Sequence, residues 1–268
     1  TGFINFFDPE IESIFALKSP RMPVEDRIND LSYGIKLNQL AYDRAKVGGV
    51  ISLFSVRKAP KLYELFYSAD VETFTKMYEE CEAAELYSSQ IDAQDFWERL
   101  VAVESTETSS YYVVNIDEMN ANSHIRRPIT QANICVEYMT GTLPLSSKHR
   151  DRPDIGVCVL GNVNQGVVGI DILPKVTELL VRAQSHIMTR QVHPTPQANA
   201  YVDMYHDIGL GVSNHAYWLA NNGWRYGQQE ALDAHNEWME HFSYGCHATS
   251  IQLANELGPA KGFEFHDK

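Results

Sequence analysis

Strand-like segments alternate with helical segments along this chain, and that alternation constrains the fold more than any other feature of the sequence. Residues 50–54 and 111–114 have the β-branched and aromatic composition of buried strands. Between them, residues 71–84 and 93–103 place apolar side chains at helical spacing. Strands separated by helices predict an α/β fold with mostly parallel, buried strands.

Further elements follow from the same patterns. Apolar residues between Leu31 and Ala41 predict a helix that ends at the glycine pair 48–49. More helices are predicted at 173–188, 213–221 and 228–257. A polar stretch, 117–130, predicts a long loop. Strands or extended loops are predicted at 133–138, at 155–160, and at 208–212, where two glycines suggest a close backbone approach.

Composition excludes several classes of protein. The formal net charge of -13 disfavours binding to nucleic acid or to anionic membranes. No apolar run reaches the roughly eighteen residues that a membrane span needs, and the first residues do not resemble a secretion signal. Four scattered cysteines are too few for a disulfide framework, so reduced thiols in the cytoplasm are expected.

The segment from Asn133 to Glu137 carries the most informative chemistry. If it is extended, the side chains of Asn133, Cys135 and Glu137 project from one face, so an amide, a thiol and a carboxylate share one space. A neighbouring carboxylate disfavours the thiolate form. The sequence therefore predicts a neutral thiol, which suits hydrogen-atom chemistry better than nucleophilic attack.

A second cysteine, Cys158, lies in an apolar, strand-like run further along the chain. Two neighbouring thiols can deliver two electrons by closing a disulfide, which makes Cys158 a candidate reductant. Each cysteine could instead pack as a small hydrophobic residue, and that alternative stays open. We interpret Cys81 and Cys246, both in helical segments, as packing residues.

These residues resemble the large, catalytic subunit of class I ribonucleotide reductases. The segment from Asn133 to Glu137, followed by Pro144 and Leu145, is similar to the family's asparagine–cysteine–glutamate signature, and Cys158 with Asn164 is similar to its second cysteine motif. Gln165 departs from the family pattern, which usually has leucine there. Further similar segments fall in family order at 10–18, 30–34, 52–55, 208–220 and 254–258.

The resemblance implies a fold and a set of roles. It implies that residues 1–268 are the central part of a ten-stranded α/β barrel with a finger loop, incomplete without flanking segments. Cys135 would be the thiyl radical that removes the 3′ hydrogen of a ribonucleotide, and Glu137 the general base. Asn133 would bind substrate, and Cys158 would be one of two reducing thiols.

The resemblance also implies partners. No cofactor is expected in this chain itself. The radical would come from a separate metal-containing small subunit, and electrons from an external dithiol such as thioredoxin or glutaredoxin. The second reducing cysteine, the radical-relay tyrosines and the phosphate-binding loop are expected on other fragments of the large subunit.

Other interpretations are weaker. No HExxH or finger-type Cys/His spacing occurs among the ten histidines, so no metal site is predicted. Aromatic residues between Tyr217 and Tyr244 lack the interleaved basic residues of a nucleic-acid surface. A remaining alternative is a non-catalytic barrel remnant that serves as a binding or assembly partner of a reductase.

Overall fold

The chain folds into two compact units, one ending at Gly141 and the other beginning at Thr142. The computed structural model describes residues 2–17, 19, 22–67, 70–104, 111–123, 127–143, 145 and 147–263. Each unit has its own cluster of buried apolar side chains. That residues 1–268 form one continuous part of a barrel domain stays a prediction.

The first unit contains five strands and six α-helices among its described residues. They are β1 (Gly2–Asn5), α1 (Ile11–Ala16), β2 (Tyr33–Leu37), α2 (Gln39–Lys46), β3 (Val50–Leu53), α3 (Pro60–Leu65), α4 (Val71–Ala83), β4 (Ser89–Asp92), α5 (Ala93–Glu104), β5 (Tyr111–Asn115) and α6 (Ile116–Ala121).

A parallel sheet organises this unit. Its strand order is β1-β2-β5, and Ile35 of the central strand pairs with Ile4 on one side and Val113 on the other. All five residues of β2 are buried, as expected for a parallel strand that is covered on both faces. Strands β3 and β4 form a separate antiparallel pair.

Aromatic side chains fill much of the core of the first unit. Phe6 and Phe7, directly after β1, are fully buried and meet edge to face with ring centroids 5.2 Å apart. Phe74 and Tyr78 on α4 pack against the same pair. Edge-to-face packing of this kind adds to the stabilisation from buried apolar area. The core therefore holds the ends of the strands in fixed positions.

The second unit contains a two-stranded parallel sheet and four helices among its described residues. They are β6 (Val159–Asn164), α7 (Leu173–Arg190), α8 (Pro196–Tyr205), β7 (Ile208–Ser213), α9 (His215–Asn221) and α10 (Gln229–Leu257). Val163 of β6 pairs with Val212 of β7. Its core includes Val181 of α7 together with Trp238 and Phe242 of α10.

Most predicted elements are confirmed. The strands at 50–54 and 111–114 and the helices at 71–84, 93–103, 173–188 and 228–257 match β3, β5, α4, α5, α7 and α10 within three residues at each end. The glycine-containing run at 208–212 is strand β7, and the helix at 213–221 is α9 with a start two residues later. Long periodic patterns are the most reliable signals in a sequence.

Three predictions need correction. The helix predicted from Leu31 is wrong in its first half, because Ile35 and Leu37 belong to strand β2. All five residues of β2 are buried, as in a strand that is covered on both faces. The loop predicted at 117–130 begins with helix α6, and its residues 124–126 lie outside the described residues. Residues 155–160 are predicted as a strand or an extended loop, and only Val159 and Leu160 of this range belong to a strand, β6.

Among the described residues, no helix combines the length and apolar character that crossing a bilayer requires.

A buried glutamine links β6, α9 and α10. The side chain of Gln165 is 2% exposed and lies between two histidines: its Nε2 is 3.0 Å from His235 Nδ1, and its Oε1 is 2.8 Å from His215 Nδ1. The centroids of the two imidazole rings are 4.5 Å apart. The Gln165 amide has one donor group and one acceptor, so one of the two histidine Nδ1 atoms must accept a hydrogen bond. An Nδ1 atom that accepts carries no proton, so that imidazole ring is neutral.

This arrangement predicts acid sensitivity of the second unit. Burial, with a smaller effect from the nearby His215, lowers the pKa of His235. The unfolded chain therefore binds this proton more readily, so the free energy of unfolding should fall as pH drops below about 6.5. Urea unfolding of the wild type and of His235→Gln between about pH 5 and about pH 7.5 should show a flatter pH dependence for the variant. His186→Gln, a change at an exposed histidine of α7, should leave the dependence unchanged.

Candidate functional site

Residues 133–138 form a closed turn. An isolated antiparallel bridge joins Ala132 to Met139, and Asn133 N donates to the Tyr138 carbonyl at 3.0 Å. Val136 N donates to the Asn133 carbonyl at 3.3 Å, which folds the chain back on itself. The prediction of an extended segment here is therefore wrong, and the argument that alternate side chains share one face loses its basis.

The side chain of Asn133 explains why the chain turns. Its Oδ1 accepts a hydrogen bond from Tyr138 N at 3.0 Å, so the asparagine closes the turn with both its backbone and its amide. Asparagine side chains commonly compete with strand pairing in this way. The β-branched residues Ile134 and Val136 favoured a strand in the sequence, but this local hydrogen bonding overrides their preference.

Backbone strain accompanies the turn. Val136 has φ +62, a left-handed conformation that β-branched residues rarely adopt, and such positions cost roughly 1–3 kcal/mol. Its half-buried side chain packs against the core of the first unit, which offsets part of this cost. Cys135 and Glu137, on either side of Val136, are exposed. The turn thus presents a thiol and a carboxylate at the surface of this unit.

Two buried polar side chains hold the segment that leads into the turn. The first is Asn120 of α6, which is 5% exposed. Its Nδ2 donates to the carbonyls of Ile116 at 2.8 Å and Ile129 at 3.0 Å, and its Oδ1 accepts from Ile129 N at 2.7 Å. The amide therefore pairs with Ile129 as a neighbouring strand would.

The second is Lys36, in the central strand β2. Its Nζ donates to the Tyr67 hydroxyl at 2.8 Å and, at 3.4 Å, to the carbonyl of Thr130, the residue after Ile129. The same Nζ lies 4.9 Å from the centroid of the Tyr67 ring. Lys36 is 7% exposed, and burial lowers its pKa to about 8, against an opposing effect of Asp8.

Sequence reasoning missed both anchors. A lysine inside the apolar run of β2 is a recognisable signal, because a buried charge needs partners. Asn120 lies in the stretch that was predicted as a loop, and its bond to Ile129 depends on a chain reversal that spacing does not reveal.

Cys158 lies in the second unit, directly before β6, and is half-buried. A Cβ built at Gly209 would lie 3.1 Å from the Cys158 sulfur and 2.4 Å from a methyl group of Leu160. The missing side chain at Gly209 therefore makes room for the thiol. The close approach predicted for the glycines of 208–212 is confirmed at this position.

The structure brings three of the four predicted site residues into one turn. They are Asn133, Cys135 and Glu137, although the Asn133 amide closes the turn. Cys158 belongs to the other unit, and its proximity to Cys135 stays a prediction. Pro144 of the quoted signature lies outside the described residues.

All four cysteines are in the thiol form. Cys81 lies in the core of the first unit and Cys246 in that of the second, and burial raises the pKa of both thiols, with a smaller effect of Glu80 on Cys81. Such thiols are unreactive, which fits their interpretation as packing residues. Within the described ranges, no group of three or more His, Cys, Asp or Glu side chains is placed to hold a metal ion.

Comparison with known proteins identifies the family. The family described as "Ribonucleotide reductase, barrel domain" matches residues 1–267. The chain belongs to this ribonucleotide reductase family. The family prediction made from the cysteine segments is thereby confirmed, as is an α/β fold of the barrel-domain type.

Individual relatives agree with this assignment. "Ribonucleoside-diphosphate reductase subunit alpha" of Buchnera aphidicola from Acyrthosiphon pisum is 32% identical over 268 residues, covering 98% of this chain and 35% of the relative. The subunit of the same name from enterobacteria phage T4 is 31% identical over 270 residues, covering 97% and 35%. "Ribonucleoside-diphosphate reductase 1 subunit alpha" of Escherichia coli K12 is 31% identical over 268 residues, covering 98% and 35%. The chain thus spans about a third of the length of these relatives.

The buried Lys36 predicts a rise in stability at alkaline pH. Because the folded state lowers the pKa of Lys36 from 10.5 to about 8, the unfolded chain still holds this proton between those values and the folded chain does not. The free energy of unfolding should therefore gain up to about 3 kcal/mol across that interval.

Denaturant unfolding of wild type and Lys36→Met between about pH 7.5 and about pH 9.5 measures this gain by difference. The variant should lack most of it. Lys46→Met, at an exposed lysine of α2, is the matched control. An identical pH slope in wild type and Lys36→Met would show that the folded state does not perturb this ammonium group.

Proposed function

We propose that this chain is a catalytic part of a ribonucleoside-diphosphate reductase, which converts ribonucleotides to deoxyribonucleotides for DNA synthesis. The observation that carries the proposal is Cys135 at the exposed tip of an anchored turn, within a chain that matches the reductase barrel domain along its length. The relatives named above are alpha subunits of ribonucleoside-diphosphate reductases, which favours a diphosphate substrate.

In this proposal Cys135 carries a thiyl radical. The sulfur radical removes the hydrogen atom from the 3′ carbon of the ribose, which gives a thiol and a substrate radical. Glu137, two residues away in the same turn, accepts the proton of the 3′ hydroxyl. Glu137 is exposed in the turn, as Cys135 is, which supports the role because an exposed carboxylate is accessible to a bound substrate.

The proposal gives Asn133 a role besides the substrate binding that the resemblance implies. Its Oδ1 holds the turn, so we assign it first to positioning Cys135. Contact of its amide nitrogen with a substrate hydroxyl remains part of the proposal, because a turn-closing oxygen leaves the NH₂ group chemically able to donate.

Cys158 is proposed as one of two reducing thiols. The overall reaction balances as ribonucleotide plus dithiol giving deoxyribonucleotide, disulfide and water. The 2′ hydroxyl leaves as water, the two thiols supply the electrons, and the hydrogen atom returns from Cys135 to the 3′ carbon. We assign the second thiol to another fragment of the large subunit, since Cys81 and Cys246 are buried as packing residues.

The proposal includes partners for the remaining steps. A metal-containing small subunit supplies the radical, and thioredoxin or glutaredoxin reduces the disulfide. Reduced thiols of this kind are maintained in the cytoplasm, where we place the reaction.

Replacement of Cys135 tests the catalytic role. In the complete reductase assembly that contains this chain, Cys135→Ser should lower deoxynucleotide formation by roughly a thousandfold or more, because serine cannot carry a thiyl radical. Nucleotide binding and circular dichroism should be unchanged, since the side chain is exposed. Deoxynucleotide formation is measured by chromatography of the products.

Cys246→Ala is the matched control. It removes a thiol from the core of the second unit, where the proposal gives it no chemical step, so activity should stay within a few-fold of wild type. Unchanged deoxynucleotide formation by Cys135→Ser would instead identify the chain as a non-catalytic barrel remnant that serves as an assembly partner.

A further inference from the structure

A single glutamine of α7 spans the parallel strand pair of the second unit. Gln184 is 3% exposed, and its Nε2 donates to the carbonyl of Val159 in β6 at 2.9 Å and to that of Gly209 in β7 at 3.0 Å. The two acceptors fix the orientation of the amide, because the opposite orientation would direct its oxygen at two carbonyl oxygens. One side chain therefore ties both strands together at one level.

Two glycines make this contact possible. A Cβ built at Gly161 would lie 2.8 Å from Gln184 Nε2 and 2.9 Å from a methyl group of Leu180, so any larger residue would displace the amide. Gly209, whose carbonyl is one of the two acceptors, leaves the space that the Cys158 sulfur occupies. Thus the backbone on both sides of the thiol is tied to the same amide: Val159, which follows Cys158, and Gly209, which lies against it.

Fold stability alone accounts poorly for this glutamine. Its own Oε1 is buried without a hydrogen-bond partner within the described residues. A buried acceptor without a partner is unfavourable, and an apolar side chain of similar length would avoid that cost. The compensating gain is the fixed geometry that the two donated bonds give to the strand ends beside Cys158.

We propose that Gln184 is a positioning residue that holds the Cys158 thiol in place for the dithiol step. The inference rests on the role of Cys158 in the proposed function. Two cysteines form a disulfide only when their Cα atoms lie about 4.4–6.8 Å apart and their side chains are suitably oriented. A small displacement of the backbone at either cysteine therefore affects the reaction strongly. Gln184 acts on the reaction through Val159 and Gly209, and it makes no contact with substrate in this proposal.

The first test uses the chain itself and measures the reactivity of each thiol. The variant Gln184→Met keeps the length of the side chain and removes both donated bonds. Alkylation by N-ethylmaleimide, followed peptide by peptide by mass spectrometry, should become about tenfold faster at Cys158, because the strand ends beside it open more often. The rate at Cys135, which lies in the other unit, should not change and serves as an internal reference.

A matched control separates positioning from general packing. Thr177→Val removes another buried polar group of α7, whose hydroxyl donates to the Leu173 and Pro174 carbonyls of the same helix. This variant should leave the alkylation rate of Cys158 within about twofold of wild type. Should Gln184→Met fail to fold, Gly161→Ala displaces the same amide without changing the glutamine, and it should accelerate alkylation of Cys158 in the same way.

The second test uses the complete assembly with a dithiol reductant. Gln184→Met should lower kcat by about tenfold and leave KM for the nucleotide unchanged, since only the reducing thiol is displaced. Equal alkylation rates of Cys158 in wild type, Gln184→Met and Gly161→Ala would overturn the proposal. Full activity of Cys158→Ser would instead overturn the role of Cys158 in the proposed function, and the alkylation result for Gln184 would still stand by itself.

Discussion

The paired hydrogen bonds between the buried Asn120 amide and the backbone of Ile129 are the interaction on which the candidate site depends. They return the chain to the core after α6, where the described residues include no regular strand that pairs with Ile129. The next residue, Thr130, is held by the Lys36 ammonium group, and the turn around Cys135 begins only a few residues later. An exposed thiol can keep a defined place only if the chain leading to it is fixed in this way.

In both units a buried side-chain amide hydrogen-bonds to the backbone near a predicted redox thiol. Asn120 pairs with backbone groups next to the turn of the first unit, and Gln184 joins two strands next to Cys158 in the second. An amide carries donors and an acceptor in one plane, so it can replace a missing strand neighbour without introducing a charge. Each predicted redox thiol therefore has a fixed backbone beside it, while Cys81 and Cys246 pack among apolar side chains. The fixed backbone beside Cys135 and Cys158 distinguishes them from Cys81 and Cys246 more clearly than the sequence context does.

The sequence predicts much of the fold and less of the site geometry. Long helices such as α4, α7 and α10 have a clear apolar period, and the strands β3 and β5 have a distinctive composition, so local signals were sufficient. Residues 133–138 are predicted as a strand or an extended loop, and the β-branched Ile134 and Val136 fit that prediction. The hydrogen bonds of the turn involve instead the Asn133 side chain and a left-handed Val136. Long-range partners such as Lys36 with Thr130 cannot be read from spacing, since they depend on how distant segments meet. The resemblance supplied the family and the roles, which the residues alone did not contain.

The fate of the 3′ hydrogen tests the central claim most directly. A ribonucleoside diphosphate labelled with tritium at the 3′ carbon would be incubated with the complete reductase assembly containing this chain, as wild type and as Cys135→Ala. The account predicts that wild type cleaves the 3′ carbon–hydrogen bond and returns most of the tritium to the 3′ carbon of the product. A small fraction is released to water, because the Cys135 thiol can exchange with solvent before the hydrogen returns, and the variant releases none above background. Equal release by the two proteins would contradict the account, because the hydrogen would then be removed by a group other than the sulfur of residue 135.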